Sequence, residues 1–174
     1  FAKRGANVTL IGGPVNLATP KNVHRIDVTT AHEMWQASLE SAVKNRIFIG
    51  CAAVDDYRVA EGADQKIKKS NDNDELSLKL VKNPDIIASV ASLEKDRPFV
   101  VGFAAETQNV AEYAKSKLQR KNLDMICAND VSGGQVFGQD QNALQIFWKT
   151  GEKALPLADK NKLADVLVSE IVEH

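Results

Sequence analysis

Apolar runs of strand length alternate with amphipathic stretches of helix length along this chain. Asn7 to Ile11 is rich in β-forming residues and stops at Gly12-Gly13-Pro14, which predicts a strand and a turn. Val23 to Val28 reads as a second, shorter strand. Thr30, with Glu33 three residues on, matches the capping box and predicts a helix to about Lys44. Arg46 to Val54 is nearly continuous in apolar residues, as in a strand buried on both faces of a parallel sheet. Asn83-Pro84-Asp85 supplies a cap residue, a proline for the first helical position and an acid for the first turn. The helix after it carries Ile87, Val90, Ala91 and Leu93 at helical spacing. Strands are expected at Phe99–Phe103, Asp124–Ala128 and Ala143–Trp148, with a helix over Val110–Lys121. A turn at Thr150-Gly151 leads into Lys153–Leu157. A last helix from about Lys160 buries Leu163, Val166, Leu167 and Ile171 on one stripe. The fold class that follows is α/β, a three-layer Rossmann-like fold with a mostly parallel sheet.

One segment breaks the alternation. Lys66-Ile67-Lys68-Lys69 and the strictly alternating Leu76 to Val81 flank a polar Ser-Asn-Asp-Asn-Asp turn, which predicts a β-hairpin flap over about residues 66–81. Gly5 stands where a glycine ends a helix, just before the first strand. Phe1 to Arg4 are therefore expected to be the last turn of a helix, with an N-terminal strand and loop lacking before it.

The chain has 174 residues, enough for one domain over 1–174, and 44% of them are hydrophobic, enough for a core. A net charge of −1 argues against an electrostatic grip on nucleic acid or membrane. No run approaches ~18 apolar residues, and the start lacks a signal-peptide core, so a cytoplasmic protein is expected. Cys51 and Cys127 lie in apolar runs and are too few for a disulfide framework or zinc cluster, and Cys51 reads as an inert buried thiol rather than a nucleophile. His24, His32 and His174 lack metal-ligand spacing and read as surface residues, while Trp35 and Trp148 are expected to pack.

Ligands of open α/β sheets bind at the carboxyl ends of strands, which singles out four loops. Gly12-Gly13-Pro14 is either a ligand turn or the turn that any βα unit needs. Gly50 to Arg58 joins small residues, which admit close approach to backbone, to the carboxylates of Asp55 and Asp56. They suit a cation or a ribose hydroxyl, or else form a solvated acidic turn. Lys82 to Asp85 offers a helix end to an anion, or simply caps the helix. Phe103, near its strand end, packs either on a base or in the core. Lysines concentrate at Lys66, Lys68 and Lys69, and Lys117 and Lys121 lie four apart on one helix face. A polyphosphate would offset that repulsion, and two solvated side chains are the plainer alternative.

Six motifs then combine. IGCAAVDDYR (Ile49–Arg58), KIKK (Lys66–Lys69), VKNPDI (Val81–Ile86), VVGFAAET (Val100–Thr107), AKSKLQRKNLD (Ala114–Asp124) and CANDVS (Cys127–Ser132) occur in this order. The chain resembles, over essentially its whole length, the phosphopantothenoylcysteine synthetase family, the CoaB half of bifunctional bacterial flavoproteins of coenzyme A biosynthesis. The CTP-using bacterial branch is the nearest in pattern.

The resemblance implies a phosphopantothenate–cysteine ligase that activates 4′-phosphopantothenate with CTP and couples it to L-cysteine. It implies nucleotide contacts at Gly50, Cys51, Ala52, Asp56, Lys66, Lys82, Asn83, Pro84, Asp85, Ile86, Phe103, Lys117 and Lys121. Lys66 would cover the reacting centre, and Asp56 would serve Mg²⁺. The family is fused to a flavin-dependent decarboxylase; that half is absent from these residues, so no FMN is expected to bind them. Asp55 departs from the alanine of many relatives. The family's glycine-rich, Asn-bearing N-terminal segment has no counterpart, so the chain is expected to bind CTP·Mg²⁺ yet make little product. An apolar row at Leu76, Leu78 and Leu80 on the flap predicts a homodimer, folding back onto its own domain being the plainer alternative. Two alternatives stay open: a Rossmann-type NAD(P) oxidoreductase, although no G-x-G-x-x-G follows the first strand, and a non-catalytic nucleotide-binding module.

Overall fold

The computed structural model describes residues 1–62, 77–130 and 141–174. A 3₁₀ turn, Ala2–Arg4, ends at Gly5, whose φ of 86° lies in the left-handed region that glycine enters without strain. Strand β1 (Val8–Gly12) pairs in parallel with β2 (Val23–Asp27) as a small sheet of its own. Helix α1 (Ala31–Ala42) opens on the expected capping box. Thr30 Oγ1 accepts from the Glu33 N–H at 3.1 Å, and Glu33 Oε2 accepts from the Thr30 N–H at 3.0 Å. The backbone N–H groups of Thr30 and Thr29 hold the Glu33 carboxyl below its ordinary pKa.

The main sheet has the order β3 (Ile47–Gly50), β6 (Phe99–Glu106), β7 (Met125–Asp130), β8 (Gln141–Trp148) and β9 (Gly151–Asp159). Its first two pairings are parallel and its last two antiparallel. The last of these pairings has a local reason: two residues, Lys149 and Thr150, separate β8 from β9, and so short a link permits only an antiparallel return. Strands β4 (Tyr57–Val59) and β5 (Leu80–Lys82) form a separate antiparallel pair, and α2 (Ile86–Ala91), α3 (Val110–Arg120) and α4 (Lys160–Glu173) complete the fold.

Two apolar clusters define three layers. On one face of the sheet Ala42 of α1, Val90 and Ala91 of α2, and Ala114 and Leu118 of α3 pack on Val100, Ala104, Ile126 and Ala128. On the other, Leu163, Leu167 and Ile171 of α4 pack on Val101, Met125, Cys127 and Ile146, with Phe1 against them. Arg4 ties the N-terminal turn to α4 through Ser169 Oγ and the Asp165 carbonyl. Among the described residues no helix is long and apolar enough to cross a membrane.

Three expectations need correction. The strand expected over Arg46–Val54 stops at Gly50, and Cys51 beyond it is exposed rather than buried. The helix cap is Asp85 rather than Asn83: Asp85 Oδ1 accepts from the Ala88 N–H at 3.1 Å, whereas the Asn83 side chain is engaged elsewhere. Pro84 accordingly precedes the cap. Residues 80–82 pair with Tyr57–Val59, so the described base of the hairpin has an earlier first arm than Lys66–Lys69. Lys66–Lys69 and Leu76 lie outside the described residues.

Candidate functional site

Gly50 and Gly102 are register partners on β3 and β6, and the side chain of Ile87 lies over both. A Cβ on Gly50 would meet Ile87 Cδ1 at 2.9 Å, and one on Gly102 would meet Leu123 Cδ1 at 2.8 Å. The close approach read from the sequence at Gly50 is therefore made by α2 of the same chain. It seats that short helix on the carboxyl end of β3, and its leading loop, Lys82 to Asp85, beside the loop leaving β3.

These two loops are joined by direct bonds. Asn83 N–H donates to the Asp56 carbonyl at 2.8 Å, and Asn83 Nδ2 donates to the Asp55 carbonyl at 2.8 Å. Arg58 Nη1 donates to the Lys82 carbonyl at 2.7 Å and reaches Asn83 Oδ1 at 3.3 Å. Sequence reasoning quoted Arg58 within its motif without giving it a role. The usable signal was its place in a short β-prone segment after the acidic pair, opposite the strand leading into Lys82-Asn83.

Asp85 then links α2 to α3. Its Oδ2 pairs with Lys121 Nζ at 2.8 Å. Burial works to raise the Asp85 carboxyl, but the bonds from Lys121 and the Ala88 N–H, with the charges of Lys121 and Arg120, outweigh it and hold the pKa below its ordinary value. A shallow hollow of about 390 Å³ beside this pair is lined by Asp85, Ser89, Ser92, Arg120 and Lys121, among others. Ser89 Oγ also accepts from Trp35 Nε1 at 3.0 Å, so α1 fixes α2 from behind.

The structure thus brings Gly50, Cys51, Ala52, Asp56, Lys82, Asn83, Pro84, Asp85, Ile86 and Lys121 into one stretch. Lys117 is half-buried one turn before Lys121, whose N–H donates to its carbonyl at 3.0 Å. Phe103 sits one residue past the last β3 pairing, half-buried among the α4-side apolar residues and on the opposite face from Ile87. Lys66 lies outside the described residues.

Neither cysteine is set up as a nucleophile. Desolvation raises the Cys51 thiol above its ordinary pKa, and burial pushes Cys127 up to about 12. Among the described residues no three His, Cys, Asp or Glu side chains gather as a metal cage. Asp55 and Asp56, exposed and adjacent, are a donor set of the other kind, since Mg²⁺ usually takes one or two carboxylates and completes its shell with water and phosphate.

Comparison with known proteins gives a consistent result. The family model described as the DNA/pantothenate metabolism flavoprotein C-terminal domain matches residues 1–174. The chain is 73% identical over 174 residues to the coenzyme A biosynthesis bifunctional protein CoaBC of Haemophilus influenzae; the match covers 100% of the chain and 43% of that protein. It is 59% identical over 173 residues to the protein of the same name from Escherichia coli strain K12, covering 98% of the chain and 43% of the relative. The chain thus spans less than half the length of these curated relatives. A crystal structure of the C-terminal domain of the coenzyme A biosynthesis bifunctional protein CoaBC superposes with a TM-score of 0.79 at 30% identity, covering 98% of this chain and 75% of that one.

Proposed function

The chain belongs to the DNA/pantothenate metabolism flavoprotein C-terminal domain family, and from that premise we propose that it is a CTP-dependent phosphopantothenate–cysteine ligase of coenzyme A biosynthesis. The observation that carries the reading is the family match over every residue, together with the convergence of the Gly50–Asp56 and Lys82–Ile86 loops at one end of the sheet.

In this reading the carboxylate of 4′-phosphopantothenate attacks the α-phosphorus of CTP and expels pyrophosphate. The amine of L-cysteine attacks the acyl carbon of the resulting cytidylate, expels CMP and forms the amide. Backbone groups of Gly50 to Ala52 and of Lys82 to Ile86 read the cytosine edge, with Phe103 bordering it. Fixed donors and acceptors discriminate bases because a mismatch leaves polar groups unpaired, at about 1–3 kcal/mol each. Lys117 and Lys121 hold phosphate oxygens, and Lys66 meets the charge that develops during reaction. Asp56 would hold Mg²⁺, which when bound neutralises charge on the phosphates. Placing both reactants on one surface makes each bimolecular step effectively intramolecular. Closure by the flap would keep water from the anhydride.

The same reading makes the protein a cytoplasmic homodimer, fused in its natural context to a flavin-dependent decarboxylase. Tyr57, Val59 and Leu80 share one face of the β4–β5 ribbon and are 53%, 41% and 55% exposed, an apolar row suited to a second copy. Light scattering is expected to give twice the 19.0 kDa chain mass, and a monomer at micromolar concentration would contradict it.

The ligase reading is tested by the order of product release in the protein that carries this chain. With CTP, Mg²⁺ and 4′-phosphopantothenate alone, one equivalent of pyrophosphate per site is expected. CMP should follow only when L-cysteine is added. Release of CMP and pyrophosphate together without cysteine, or of neither with it, would contradict the reading.

A further inference from the structure

We propose that Arg58 is a positioning residue that holds the two nucleotide-facing loops in register, a role that rests on the CTP reading above. Asp55-Asp56 and Lys82-Asn83 come from chain segments more than twenty residues apart, and the β4–β5 pair between them is only three residues long on each side. Backbone bonds run on past both ends of this ribbon, from the Ala60 N–H to the Lys79 carbonyl and from the Asn83 N–H to the Asp56 carbonyl. Among the described residues, however, it is not hydrogen-bonded to the main sheet, so few bonds hold it in place. The Arg58 guanidinium supplies what the ribbon lacks. Nη1 donates at once to the Lys82 carbonyl and to Asn83 Oδ1. The Asn83 side chain is thereby oriented with its amide nitrogen toward the Asp55 carbonyl, beside the backbone bond from the Asn83 N–H to the Asp56 carbonyl.

One exposed side chain therefore adds a side-chain tie to the backbone pairing between the loop carrying Asp56 and the loop carrying Lys82, Asn83 and Asp85. Arg58 need not touch the nucleotide to govern its binding. Without it Asn83 loses the contact that fixes its amide, and both loops sample other spacings before CTP binds. A fraction of molecules in the competent arrangement lowers apparent affinity by that same fraction.

The test compares wild type, Arg58→Ala and Arg58→Lys in two measurements. The first is amide hydrogen exchange at Asn83 without ligand, together with the melting temperature. The second is calorimetric titration with CTP·Mg²⁺. Faster Asn83 exchange and about tenfold weaker CTP binding are expected for Arg58→Ala, since hydrogen bonds to a charged group of this kind are worth roughly that factor. The melting temperature should fall by no more than a few degrees, because Arg58 is exposed and outside both apolar clusters. Arg58→Lys, which keeps the charge and one donor direction, should recover part of the affinity. Unchanged Asn83 exchange, or faster exchange with wild-type affinity, would overturn the positioning role while leaving the CTP reading intact. A wild-type protein that fails to bind CTP would overturn the CTP reading, and the positioning role with it.

Discussion

Asp124→Ala is expected to destabilise the fold by about 3 kcal/mol. Its Oδ2 accepts from Arg97 Nη1 and from the Val100 N–H, both at 2.7 Å. Arg97 also donates from Nε to the Ala91 carbonyl at 2.8 Å and from Nη2 to the Asn122 carbonyl at 2.7 Å. The end of α2, the start of β6, the turn after α3 and the approach to β7 therefore meet at one Arg97–Asp124 pair. Asp124 and Arg97 side chains are only 17% and 24% exposed, so water cannot fully replace the lost partner. Removing the carboxylate strands the N–H of fully buried Val100 and leaves a guanidinium without its counter-charge.

For a chain of this length the melting temperature should fall by about 6–12 °C. Asp124→Asn, which retains one acceptor, should lose about half as much. Lys115→Ala is the contrast: its pair with Glu152 is exposed on both sides, and exposed pairs contribute under about 1 kcal/mol. Urea titration in which Asp124→Ala stays within about 0.5 kcal/mol of wild type would contradict the role given to this knot.

The second large effect is kinetic and divides the lysines. Lys117→Ala should raise the KM for CTP about tenfold or more with kcat little changed, because the phosphate contact proposed for it would be made both before and during reaction. Lys121→Ala should act in the same direction but more weakly, since Lys121 is already paired with Asp85 and a phosphate must compete with that carboxylate. Lys66→Ala should instead lower kcat, because its charge is assigned to the reacting centre. Steady-state kinetics on the three variants separates the roles. A Lys66→Ala enzyme with raised KM and intact kcat would reverse the assignment.

Features set by neighbouring residues were legible in the sequence. The Thr30–Glu33 box, the stripe of Leu163, Leu167 and Ile171 on α4, and Gly5 at its positive φ all follow from spacing alone. Features decided by distant residues were not. Asn83 and Asp85 are both good caps, and the tie is broken by Asp55, which engages Asn83 from 28 residues away. Small residues at Gly50 signalled close approach but not its agent, because nothing local marks Ile87 as the side chain that lies there. The apolar run through Val54 looked like one strand, yet β3 ends where α2 arrives. The candidate site residues were drawn from six ordered motifs, whereas the bonds that Arg58 and Lys121 make among them required the folded chain.

The measurement that tests the central claim most directly is calorimetric titration of the chain with CTP·Mg²⁺ and, separately, with ATP·Mg²⁺. One CTP per chain is the expected stoichiometry, with ATP weaker by about tenfold or more, the factor that one unpaired base-edge group supplies. ATP bound as tightly as CTP, or no heat from CTP at all, would contradict it.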